Sequence, residues 1–254
     1  MDPLFDDLGE QVDLSAPPRR IVCLVPSLTE ALADTGLLIG ATDWCTHPAD
    51  LDVARVRGTK NPDLNAIAAL EPDLVIANQE ENRELDVRRL RERGITVWVT
   101  VTESVPQAIG AMTRLFVDVL GREQPGWLVE AARLWSGELP DPHTTAAVAI
   151  WRDPWMVVGR DTFTGDLLAR VGVANAFADS PDRYPTTTVE EISARTPDVV
   201  VLPDEPYVFS RDDGPEAFPE RKTLLLEGRL ITWYGPSLVE AHSTLHELLG
   251  RPTI

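Results

Sequence analysis

Two hydrophobic patterns take turns along this chain. Short, mainly apolar stretches over Arg20–Val25 (rich in β-branched residues, with an unbroken apolar run from Ile21), Leu74–Ala77, Thr96–Val101 and Ala146–Trp151 read as strands. Their length and lack of alternation predict parallel strands buried on both faces. Leu230–Trp233 reads as a further strand. Between the runs lie longer mixed segments with helical character. Arg83–Arg93 is one, charged along much of its length, and others cover roughly 104–120, 125–138, Thr164–Val171 and 237–249. Pro106 and Pro125 sit near the starts of two of them, where a missing N–H is tolerated. Ser27 with Glu30 three residues later is the spacing of a capping box, which predicts a helix from there to Gly36.

The pattern occurs twice. Residues 65–77 (NAIAALEPDLVIA) and 190–202 (EEISARTPDVVVL) share a helix-like stretch, a Pro-Asp turn and an apolar run, with Pro72 and Pro197 in corresponding places. Strands alternating with helices predict an α/β fold of two lobes with parallel sheets and a ligand cleft between them. The expected division is an arm over 1–18 ending in Pro17-Pro18, an N-terminal lobe over 19–103, a helical linker over 104–140 and a C-terminal lobe over 141–254. The loop over 203–222, rich in Pro, Asp and Gly, is the expected mobile element. No GxGxxG and no GxxxxGK[ST] is present, so the glycine fingerprints of nucleotide sites are missing.

Composition narrows the partners. A net charge of −18 repels nucleic acid and anionic lipid, so neither is an expected partner. No run of 18 apolar residues suggests membrane insertion. The acidic start Met1-Asp2-Pro3-Leu4-Phe5-Asp6-Asp7 has neither the basic nor the apolar stretch of an export signal, which predicts a cytoplasmic protein. A processed mature form would start in the same way and work outside the cytoplasm. Cys23 and Cys45 do not suggest a disulfide framework, and Cys23 reads as a core residue.

Candidate chemistry gathers near strand ends. A strand feeding a helix leaves free N–H groups at its carboxyl end, which marks Pro26 and Ser27. Trp44, Trp151, Trp155 and Trp233-Tyr234 also fall at strand ends or in loops, where rings can bind flat or apolar ligands. In Trp44-Cys45-Thr46-His47-Pro48, an extended backbone would point Cys45 and His47 to one side, a pairing that could ligate a metal or the metal of a chelate. Thr59 and Lys60 lie on a turn, and Glu80, Glu81 and Asn82 follow a strand. Lys60 could hold a ligand anion or pair with Glu80 or Glu81. His242 and His246 stand at i and i+4, a metal-compatible spacing on an otherwise ordinary helix face. Three functions remain open: capture of a metal chelate, an enzyme using Cys45, His47 and Lys60, or bare divalent-metal binding.

Four segments in order carry a resemblance: RIVCLVPSLTE (20–30), GATDWCTHP (40–48), GTKNPDL (58–64) and PDLVIAN (72–78). The chain resembles the helical-backbone metal receptors. These are class III periplasmic-binding-protein-like substrate-binding proteins of ABC importers for vitamin B12, iron-siderophores and haem, and the cobalamin receptors are the nearest branch. The resemblance implies two Rossmann-like lobes with parallel sheets on a rigid helical linker, and non-catalytic binding of cobalamin, another corrinoid or a related metal chelate in the cleft. It places Trp44 and the Thr59-Lys60 turn on one side of the ligand and Trp233-Tyr234 opposite. It also implies an ABC permease partner, docked through one exposed glutamate per lobe. Glu190 matches on the second lobe, whereas its counterpart on the first is Asn65, which carries no charge.

Overall fold

In the computed structural model, which describes residues 3–250, residues 4–12 pack as a hairpin rather than trailing as an arm. Strands β1 (Leu4–Phe5) and β2 (Gln11–Val12) pair antiparallel. The Asp6 carboxylate accepts from the amides of Leu8 and Glu10 at 3.0 Å, closing the turn, and meets the Arg91 guanidinium at 2.7 Å. Asp7 accepts from the Val101 amide and pairs with Arg114. Polar residues that look like a lead-in are thus tied down by partners about 85 to 107 positions away.

The described residues form two units. Unit 1 takes in residues up to Thr102, Gln107–Val129 and Tyr234–Pro236; unit 2 takes in Glu103–Pro106, Glu130–Trp233 and the residues from Ser237 on. In unit 1 the elements run β3 (Ile21–Cys23), α1 (Pro26–Leu32), β4 (Leu38–Ala41), β5 (Ala54–Arg55), β6 (Arg57–Gly58), β7 (Asn61–Pro62), α2 (Leu64–Ala69), β8 (Leu74–Asn78), α3 (Glu84–Glu92) and β9 (Val97–Thr100). Helices α4 (Val105–Arg114) and α5 (Gly126–Leu134) follow, with a π-helical turn over Leu115–Val119 extending α4. The main sheet is all parallel in the order β5-β4-β3-β8-β9. Every residue of β8 is buried, as the unbroken apolar run required. Val22 and Leu24, Val75 and Ala77, and Val97 and Val99 share one face and pack with Ile67 of α2 and Val87 and Leu90 of α3.

Unit 2 contains β10 (Thr144–Trp151), β11 (Trp155–Val157), α6 (Phe163–Arg170), β12 (Val173–Asn175), β13 (Thr186–Thr187), α7 (Val189–Ala194), β14 (Val199–Pro203), β15 (Thr223–Leu226), α8 (Arg229–Thr232) and α9 (Ser237–Leu249). Strands β12, β10, β14 and β15 run parallel, and antiparallel β11 and β13 extend the sheet on the β10 side. The β3-β8-β9 succession of unit 1 therefore recurs as β10-β14-β15.

The repeat extends to single atoms. Helix α2 is capped by Asp63 and α7 by Thr188, which completes a capping box with Glu191. Each helix is followed by a non-glycine residue at positive φ, Glu71 (46°) and Thr196 (49°), directly before the proline. The aspartate after each proline then binds the start of the neighbouring strand. Asp73 accepts from the amides of Arg19 and Arg20 at 2.8 and 2.9 Å, and Asp198 accepts from the Thr145 amide at 2.8 Å. The Pro-Asp signature is thus a clasp between strands and carries no ligand chemistry.

Two expected elements differ. Helix α1 starts at Pro26 with Val25 as its cap and no side-chain cap bond, so Ser27 lies inside the helix, 2% exposed. Proline at the first helical position puts the cap at Val25, two residues ahead of the Ser27 cap of the capping-box reading. Leu230–Trp233 is not a strand either. Residues 229–232 form the single turn α8, and the strand beside β14 is β15, just upstream.

Candidate functional site

Because the main sheet of unit 1 is parallel, the carboxyl ends of its strands share one edge, where the segments after β3 and β8 meet the β6–β7 turn. Asn82 holds them together. Buried at 4% exposure, it accepts from the Asn78 amide at 2.8 Å and donates to the carbonyls of Leu24 (3.3 Å) and Thr59 (3.0 Å). Lys60, on the β6–β7 turn, donates to the Glu80 carbonyl, so this cation crosslinks two loops. Asn82 and Lys60 are both sequence candidates, and both serve here as loop fasteners.

Trp44 is the candidate that the fold presents. It lies in a turn closed by the Cys45 amide on the Thr42 carbonyl, and the Arg55 guanidinium donates to the carbonyls of Thr42 and Cys45 at 2.9 Å each. The residue is 66% exposed. Its indole nitrogen is 3.3 Å from the place a Cβ would take on Gly58, so the absence of a side chain there lets the ring lie against the β6 backbone.

The same turn separates Cys45 from His47. The Cys45 thiol is buried 3.1 Å from the Thr29 hydroxyl and 3.2 Å from that of Thr42. His47 is half-buried, its Nδ1 3.1 Å from the Thr46 hydroxyl. The extended segment that would have aligned them is absent, because the 42–46 backbone folds back on itself. Burial pushes the Cys45 thiol up from its ordinary range, against the thiolate that a nucleophile or metal ligand needs. Cys23 is also a free, buried thiol raised by burial. Among the described residues no three His, Cys, Asp or Glu groups gather where they could hold a metal ion.

Tyr234 is buried in unit 1, 5% exposed, rather than displayed. Its hydroxyl donates to the Glu81 carboxylate at 3.0 Å. Burial first, then the Glu81 charge, raises its pKa well above the ordinary tyrosine range. A Cβ on Gly235 would lie 2.6 Å from the Ser27 carbonyl, so the glycine is what admits the 234–236 segment beside α1. Glu80 and Glu81 are half-buried, as is Pro26, at the amino end of α1.

In unit 2 the exposed ring is Trp151, 43% exposed at the carboxyl end of β10. It meets Tyr207 edge to face at 5.6 Å, and the Tyr207 hydroxyl donates to Asp213 at 2.7 Å. Arg152 binds Asp213 and Glu216, so the acidic loop over 203–222, expected to be mobile, is anchored to the end of β10. Trp155 and Trp233 are core residues instead of ligand surfaces, 8% and 6% exposed. Trp155 stacks on Phe209 at 5.7 Å and meets Phe218 at 5.2 Å. A hollow of about 230 Å³ between Leu202, Phe209, Leu225, Leu226, Asp204 and Glu227 opens at the ends of β14 and β15. Sequence reading missed Tyr207 and Arg152; the signal was an aromatic and a lone arginine among carboxylates.

Glu190 is exposed in the first turn of α7, its carboxyl held below the usual range by its own amide and the Thr188 hydroxyl. Asn65 occupies the matching place on α2 and accepts from Arg93 at 3.0 Å.

No family model matches the chain. An uncharacterized ABC transporter substrate-binding lipoprotein of Bacillus subtilis (strain 168), YvrC, is 27% identical across 96% of this chain and 84% of its own length. A vitamin B12-binding protein of Vibrio cholerae is 24% identical across 72% of this chain and 70% of its own. Among solved structures, the periplasmic vitamin B12 binding protein BtuF of Vibrio cholerae superposes with a TM-score of 0.72, covering 90% of this chain and 95% of that one at 19% identity. A periplasmic haem binding protein from Pseudomonas aeruginosa does so with 0.75, covering 93% and 95% at 21% identity. These relatives overturn the cytoplasmic expectation, since lipoproteins and periplasmic proteins work outside the cytoplasm and an acidic first segment is no measure of compartment. In sequence this chain is similar to ABC transporter substrate-binding and vitamin B12-binding proteins, and in fold to the class III periplasmic binding proteins, as its resemblance to the helical-backbone metal receptors implies.

Proposed function

We propose that this chain is an extracytoplasmic substrate-binding protein of the ABC-importer type that captures a metal chelate, a corrinoid ahead of haem, without chemically changing it. The observation that carries the reading is Trp44, a large ring left 66% exposed on a turn that Arg55 and Gly58 hold in place, at the strand-end edge of a parallel sheet. Open α/β sheets bind ligands at that edge. A turn whose backbone is already ordered adds little to the entropy lost when a flat ligand lies on its indole. Relatives described as vitamin B12-binding proteins support the corrinoid, and structures described as haem-binding support haem. Trp151 supplies a second exposed ring in unit 2. Glu190 is the surface carboxylate we assign to permease docking, with Asn65 leaving the corresponding position of unit 1 uncharged.

The enzyme reading depended on Cys45, His47 and Lys60 acting together. A thiol raised by burial and bonded to Thr29 and Thr42, a histidine whose Nδ1 meets the Thr46 hydroxyl and a lysine engaged with the Glu80 carbonyl do not favour it. Titration calorimetry with cobalamin, cobinamide and haemin tests the proposal. We expect one corrinoid bound per chain, and Trp44→Ala weakening it by at least tenfold, since stacking a ring of this size contributes roughly 1.5–3 kcal/mol. No heat with any of the three compounds removes the reading.

A further inference from the structure

We propose that His242 and His246 form a two-imidazole site for a divalent transition-metal ion on α9, separate from the chelate-binding reading and independent of it. The two residues are one helical turn apart on the same face. Their ring centres lie 4.6 Å apart with planes at 61°. Two imidazoles sharing one ion at roughly 2.1 Å from each coordinating nitrogen place their ring centres about 4.5–5 Å apart, so the observed separation matches that of a shared ion, with rotation of the rings aiming a nitrogen of each at it.

Neighbouring residues prepare the pair. Trp135, 4% exposed, donates from its indole nitrogen to the Leu238 carbonyl at 2.9 Å. The ring so fixed meets His242 edge to face at 5.0 Å and limits how that imidazole can turn. His242 is half-buried and His246 exposed, so a bound ion keeps open positions for water. Burial, then His246 and Arg133, lower the His242 pKa, which favours the neutral, ligating form. Arg133 is the nearby cation that opposes an ion, and its guanidinium is already held by both oxygens of Glu130 at 2.8 and 2.7 Å. Nitrogen donors on an open helix face select Cu²⁺, Ni²⁺ or Zn²⁺ over Mg²⁺ or Ca²⁺. The competing explanation is an aromatic stack of Trp135, His242 and His246 that packs α9 and binds nothing.

The two accounts part in a metal titration of tag-free chain freed of metal with chelator. The site predicts one Cu²⁺ per chain with micromolar affinity, weaker Ni²⁺ and Zn²⁺, and two-nitrogen superhyperfine structure in the Cu²⁺ electron paramagnetic resonance spectrum. His246→Ala, at an exposed position that leaves the Trp135–His242 contact in place, weakens Cu²⁺ at least tenfold, and the double variant His242→Ala/His246→Ala loses the site. Circular dichroism confirms that each variant is folded. No uptake by the wild-type chain, or unchanged uptake and spectrum in folded His246→Ala, overturns the site and leaves the aromatic stack.

Discussion

If the Pro-Asp turns are clasps, removing their carboxylates loosens the two sheets unequally. Asp73 receives two backbone amides, from Arg19 and Arg20, at 2.8 and 2.9 Å. Asp198 receives one amide at 2.8 Å and a hydroxyl, from Thr144, at the long distance of 3.4 Å. Hydrogen bonds to charged groups contribute roughly 1.5–3 kcal/mol when shielded, and both aspartates are exposed, which reduces each good bond to about 1 kcal/mol. Asp73→Ala should therefore cost about 2 kcal/mol and Asp198→Ala about 1 kcal/mol. Asp73→Asn keeps one neutral acceptor oxygen and should lose about half as much as the alanine variant. Urea titration followed by circular dichroism measures this; with a slope of roughly 2 kcal/mol per molar, Asp73→Ala moves the midpoint by about 1 M. Where the units unfold in separate steps, each variant should shift a different transition. An Asp73→Ala midpoint within experimental error of wild type, or an Asp198→Ala loss larger than that of Asp73→Ala, refutes the clasp.

Other consequences concern the buried polar groups. Tyr234→Phe keeps the ring but removes the bond to Glu81, and should lower stability by about 1.5 kcal/mol in the same titration. Both cysteines are buried, so Ellman's reagent should label neither in the native chain within minutes and both in denaturant; prompt native labelling would contradict the packing around Thr29. His242 titrates below its ordinary value of 6.5 in the folded chain. The unfolded chain therefore takes up the proton first as pH falls. The stability His242 contributes is complete above pH 6.5 and lost as pH drops through the lowered folded value. Urea midpoints at pH 7.5 and 5.5, measured in chelator, should converge in His242→Gln relative to wild type.

Much of this architecture follows from one-dimensional order. Unbroken apolar runs mark β3, β8, β9, β10 and β14, because a strand covered on both faces needs no polar alternation. The duplicated Pro-Asp units reveal the two related sheets, since the same local geometry is met by the same pair at Pro72-Asp73 and Pro197-Asp198, each after a residue at positive φ. Exposure of Trp44 and Trp151 agrees with their places at loops and strand ends. What local pattern could not supply is the identity of distant neighbours. Trp155 and Trp233 occupy similar sequence positions to the exposed pair, yet Phe209 and Phe218 arrive from a loop more than 50 residues away to enclose Trp155, and the chain continues past Trp233 to lodge Tyr234 against Glu81. Cys45 and His47 are two residues apart, and only the folding of their turn buries the Cys45 thiol against Thr29 and Thr42 while His47 stays half-buried beside Thr46. Periodicity sets which elements form, because it depends on neighbours along the chain; burial and bonding of a side chain depend on neighbours in space, and those exist only once the sheets are assembled.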